Sequence, residues 1–142
     1  MFFKEGFLLK RILRVLVMLI MVAVIFFGYL RTIQFYHERR VVRNLRLIEL
    51  AMEKYKQKNG SYPKYGEIWR TTEEVNTKLG LSIKDDVFGY QCFGWFDWTS
   101  FRCETKSPLY DWSLHFHEGV AAHCLDNSCP SCTPSHDSKG GC

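Results

Sequence analysis

From Val15 to Leu30 the chain carries no charged residue, and Ile12, Leu13 and Ile33 extend this run toward the roughly 20 residues a helix needs to cross a bilayer. The pattern then changes. Val41, Leu45, Ile48, Met52 and Tyr55 recur at alternating spacings of four and three, which puts them on one face of a helix. The opposite face carries Arg43, Arg46, Glu49, Glu53, Lys54 and Lys56 without strong i,i+4 pairing, so packing must stabilise this helix more than charge does. No proline falls between positions 7 and 62, and the two segments read as one long helix over 7–59: an anchor about 12–33 and an amphipathic part 34–59. Asn59-Gly60 supplies a left-handed stop, and Pro63 forbids continuation.

Beyond that stop lies a head of residues 60–142. A short helix is predicted where Thr71 caps, Glu74 reaches back, Val75 and Leu79 face inward and Gly80 terminates; it is expected over a sheet edge. Three aromatic-rich stretches with partial two-residue alternation, 87–93, 95–101 and 109–116, predict three antiparallel strands. From Ala121 onward Gly, Pro, Ser, Asn and Cys dominate, which predicts a loop. The fold class is therefore α+β: a long N-terminal membrane-spanning helix packed on a small antiparallel sheet, with a cysteine-rich C-terminal loop.

Charge changes the picture once it is divided. Through Asn59 there are twelve Lys/Arg and four Asp/Glu, and from Gly60 onward seven and eleven, so the formal +4 is a basic stem joined to an acidic head. Lys10, Arg11 and Arg14 before the apolar run, with Arg31, Arg39 and Arg40 after it, suit lipid headgroups. An acidic head without clustered Lys/Arg argues against a nucleic-acid partner. A secretory signal would show a small-residue cleavage site after the apolar core, whereas Phe26-Phe27-Gly28-Tyr29-Leu30-Arg31 continues into helix-compatible sequence, so a retained anchor is expected.

All six cysteines, Cys92, Cys103, Cys124, Cys129, Cys132 and Cys142, follow the anchor, as expected where disulfides persist. That favours a cytoplasmic N-terminus and an exported head, which is small enough to need covalent support. Six cysteines permit fifteen pairings; the expectation joins Cys92 to Cys103 across neighbouring strands and leaves the other four to staple the terminal loop. Cys129-Pro130-Ser131-Cys132 has redox spacing, but no helical pattern follows it. Cys124, Cys129 and Cys132 with His136 or Cys142 could ligate zinc, against which stand the missing second Cys-x-x-Cys pair and the oxidising side; neither a metal nor a cofactor is expected. His115 and His117 share a strand face and read as surface residues without a third ligand. Trp95, Trp98 and Trp112 read as core, and Asp85-Asp86, Asp97 and Asp111 as solvated carboxylates. No Gly-x-Ser-x-Gly elbow, His-Glu-x-x-His helix or phosphate loop is present, and no enzyme is expected.

The order of anchor, amphipathic helix, Tyr55-Lys56-Gln57-Lys58-Asn59-Gly60-Ser61-Tyr62-Pro63 and strand-rich head resembles type IV pilins and type II secretion pseudopilins. Asn44-Leu45-Arg46-Leu47-Ile48-Glu49-Leu50-Ala51-Met52-Glu53 shares in that resemblance. It implies a leader of residues 1–6 cut between Gly6 and Phe7 by a prepilin peptidase, methylation of Phe7, and residence in the bacterial inner membrane before filament assembly. It also implies other pilin-like subunits, assembly machinery and membrane lipid as partners. The family's glutamate at the fifth mature position is Arg11 here, a charge costly in an apolar core. A minor or divergent subunit tolerates that change best; the alternative is a permanently anchored envelope protein with an exported ligand- or partner-binding head.

Overall fold

The computed structural model describes residues 3–95, 100–110, 113–117 and 120–124, with side chains from position 10 onward except at 95, 117 and 120–124. Helix α1 spans Phe3–Asn59. By internal contacts the chain forms two units, Met1–Tyr36 and His37–Cys142. In the first, the apolar side chains of α1 are turned outward: Met18 is 72% and Phe27 69% exposed. Among the described residues α1 is the one helix long and apolar enough to cross a membrane. Thr32 Oγ1 donates to the Gly28 carbonyl at 2.8 Å, so the glycine turn carries an extra hydrogen bond.

The second unit is α+β. Its sheet is an antiparallel meander in the order β1 (Ile68–Trp69), β2 (Gly89–Trp95), β3 (Ser100–Lys106), β4 (Leu114–His117) and β5 (Val120–Cys124). Val41, Leu45, Ile48 and Met52, the face set by the four-three spacing, are all buried in one cluster with Tyr62, Trp69, Val75, Tyr90, Phe101, Leu114 and Phe116. Phe101 packs against Tyr62 at 4.9 Å and Phe116 at 5.5 Å between ring centroids. On β3 Phe101, Cys103 and Thr105 point into this core while Arg102 and Glu104 face away, the period of a strand with one covered face.

Helix α2 (Thr72–Leu79) forms as its signals predict. Thr71 Oγ1 accepts from Glu74 N at 3.1 Å, and Glu74 reaches back to Arg70 N at 2.6 Å, one residue before the cap. Gly80 ends the helix at φ 65°. Asn76 then grips the returning chain, donating to Ile83 O and accepting from Ile83 N. The helix lies against β1 and β2, at the edge of the sheet.

The strands differ from the expectation. The aromatic stretch 95–101 is not one strand: β2 runs through Trp95 and β3 starts at Ser100, because both ends pair with each other in a hairpin. The third strand starts only at Leu114. Val120–Cys124, at the start of the predicted loop, is β5; two alanines give it little intrinsic strand preference, and pairing with β4 decides its conformation.

Cys92 and Cys103 sit directly opposite each other on β2 and β3 and form a disulfide, with both residues fully buried. The bond closes a loop of sequence separation 11. Loop closure of that size contributes about 2–3 kcal/mol. Substituting both residues by alanine should lower the chemical-denaturation midpoint of the detergent-solubilised chain accordingly; an unchanged midpoint would show that the sheet does not depend on the bond.

Candidate functional site

A polar cluster stands on the buried side of α1 in the second unit, where the helical spacing brings His37, Arg40 and Asn44 into line at intervals of three and four. Asp85, in the loop after α2, reaches into it with a side chain that is 0% exposed. Asp85 Oδ1 accepts from Arg40 Nη2 at 2.7 Å and from the backbone N–H groups of Val87 and Phe88 at 3.0 Å each. Asp85 Oδ2 accepts from Tyr90 Oη at 2.9 Å and lies 3.4 Å from Asn44 Nδ2, which also donates to Tyr90 Oη at 2.8 Å. One carboxylate thus ties helix, loop and β2 together. Arg40 extends to the exposed Asp86 at 3.4 Å and to His37 Nδ1 at 3.3 Å, and the His37 ring packs on Phe88 and Tyr110. Asp85 is therefore not a solvated carboxylate, as its sequence context suggests; Asp86 is one.

Burial pushes the Tyr90 hydroxyl well above its ordinary 10.0, with the Asp85 charge acting in the same direction and the Asn44 hydrogen bond opposing it. The fold therefore favours the neutral phenol. Its contribution to stability is fully present below pH ~10 and is lost as pH rises through the unfolded and then the folded titration. Denaturation of the wild type should weaken from about pH 10 upward, and Tyr90→Phe should be less stable at neutral pH but lose less on alkaline titration. Equal alkaline slopes for both would contradict this.

A second clasp closes the helix. Gly60 takes φ 80° and its N–H donates to Lys56 O at 2.8 Å; Asn59 Nδ2 donates to Tyr55 O at 2.8 Å. The chain then turns back, and Tyr62, 1% exposed, donates to Glu53 Oε1 at 2.5 Å while Lys56 Nζ sits 4.3 Å above its ring. Pro63 is buried beside it. The returning strand crosses β2 at Gly94, whose N–H donates to Glu67 O at 3.1 Å. A side chain there would meet the Pro63 and Lys64 carbonyl groups, with the Lys64 carbonyl carbon at 2.6 Å.

No family model, no curated protein and no solved structure matches this chain.

The predicted site residues distribute as follows. Gly6 and Phe7 lie within α1, and so does Arg11. Cys92 and Cys103 are joined; Cys124 ends β5, while Cys129, Cys132, Cys142 and His136 lie outside the described residues, as do Asp97, Trp98, Asp111 and Trp112. His115 and His117 are on β4, and Trp95 ends β2. Sequence reasoning missed the Arg40–Asp85 pair and Gly94. Signals for both exist: Asn44 is a polar residue on an otherwise apolar helical stripe, and an isolated glycine inside a strand pattern marks close backbone approach.

Proposed function

We propose that the chain is a minor or divergent subunit of a type IV pilus or a type II secretion-like filament, held in the bacterial inner membrane before assembly with its head exported. The observation that carries this reading is the contrast along α1. In the first unit its N-terminal apolar stretch turns its large hydrophobes outward, with those from Ile12 to Leu30 between 41% and 72% exposed. Its C-terminal part is clasped by the head through Asp85 and Tyr62. Such an apolar surface has two physical uses, lipid in the membrane and neighbouring copies of similar helices in an assembly. Repeated lateral contacts that do not close on themselves build a filament. The outward stripe of the clasped segment, Arg43, Arg46, Leu47, Leu50 and Lys54, has Leu47 45% and Leu50 55% exposed, which supports contacts with further subunits.

Arg11 supports a second reading, a permanently anchored envelope protein whose head binds a partner without polymerising. In a filament core a second positive charge next to a neighbour's amine is costly. Intact-mass measurement of membrane-extracted protein separates the two. The subunit reading predicts loss of Met1 to Gly6 and gain of one methyl group on Phe7; a full-length mass favours the fixed anchor.

A further inference from the structure

Within the second unit the exposed residues of α1 form one stripe at steps of three and four: Arg39, Arg43, Arg46, Lys54 and Lys58, with Leu47 and Leu50 at its centre. Every charged residue on that stripe is a cation. The glutamates of the same segment are withdrawn from it: Glu38 is buried, Glu49 is half-buried, and Glu53 accepts from Tyr62. Among the described residues none of the five cations forms an ion pair. Two exposed leucines ringed by charge have the anatomy of an interface patch, apolar at the middle and polar at the rim.

The same unit carries a concave surface of opposite charge. An open groove of about 580 Å³ runs between β1 and α2, with Glu67, Glu73 and Glu74 on its walls. Lys78 also lines it, and its Nζ lies 3.9 Å from Glu67 Oε1, so one of the three negative charges is offset and two remain. Glu73 is exposed and has no partner among the described residues. Ile68, also part of the lining, points outward and is 48% exposed. We infer that this groove receives the α1 stripe of a second copy of the chain, Leu47 and Leu50 covering Ile68 while the stripe's cations face Glu73 and Glu74. The inference rests on the subunit reading and adds to it the neighbour and the two faces that meet. Stripe against stripe would set five cations against five, an arrangement that like charge disfavours. Stripe and groove are different surfaces, so each copy offers one and receives the other, and the contact propagates from copy to copy.

The test measures association of the full chain in detergent, by energy transfer between preparations labelled with donor and with acceptor. The stripe variant Arg43→Glu/Arg46→Glu should weaken self-association on the order of tenfold, the groove variant Glu73→Arg should weaken it in the same direction, and added salt should weaken the wild type. Mixing the two variants should restore pairing, because the intact stripe of the groove variant then meets the intact groove of the stripe variant. Lys106→Glu, on neither face, should leave association unchanged. Far-UV circular dichroism accompanies each variant, and Leu47→Ser/Leu50→Ser, which keeps the net charge, decides the outcome at the stripe if the charge reversal fails to fold. Unchanged association in the stripe and groove variants overturns the contact. A stripe variant that weakens association while the groove variant does not also overturns it, since the stripe then faces anionic lipid or another acidic protein, and so does a mixture that fails to restore pairing. Any of these beside an intact mass lacking Met1 to Gly6 removes this contact and leaves the subunit reading standing.

Discussion

Asp85→Ala should lower the unfolding free energy of the solubilised chain by about 3–5 kcal/mol, the cost of removing one partner from a buried ion pair. The loss exceeds that of an ordinary surface bridge because Asp85 is fully buried and serves five donors. Without it, Arg40 keeps its charge and, among the described residues, the exposed Asp86 is its remaining carboxylate partner, while the N–H groups of Val87 and Phe88 lose their acceptor. Replacing Arg40 and Asp85 together by apolar residues should cost much less than the sum of the single changes, since neither charge is then stranded. Thermal unfolding followed by near-ultraviolet circular dichroism measures both; additive losses would show that the two residues act separately.

Gly94→Ala is the second large effect, at about 3 kcal/mol, the upper range for overpacking. Most added methyl groups displace a side chain, which rotates away. Here the obstacle is backbone: the Pro63 and Lys64 carbonyl groups of the segment that leaves α1. Either β2 bends or the Ser61–Glu67 segment lifts, and lifting it pulls Tyr62 from Glu53 and from Phe101. The variant should accordingly be cut faster by trypsin after Lys64 than the wild type. Wild-type stability and cleavage rate would disprove the crossing.

Helical information was legible because it is local. The four-three spacing from Val41 to Met52 lands on the buried face, Gly60 and Gly80 take the left-handed conformation their stop signals require, and Thr71 caps α2. The strands were harder. Aromatic clusters mark material for a sheet without marking its turns, so the expected strand 95–101 straddles the end of β2 and the start of β3, and β5 has no signal apart from its partner. Of the candidate chemistry, the Cys92–Cys103 pair followed from neighbouring strands. The Asp85 cluster did not, since Arg40 and Asn44 on α1 lie 41 to 46 residues from the Asp85 and Tyr90 groups they bond, and a surface-like Asp-Asp dipeptide gives no hint of burial.

The subunit reading turns on what covers the outward apolar surface of α1. A photoreactive amino acid placed at Phe27, 69% exposed, and activated in intact cells tests it most directly. Crosslinks from that position to the apolar helices of other subunits, running as a ladder of multimers or mixed products, are the expected result. Crosslinks to lipid alone, under conditions where the assembly is formed, would contradict it.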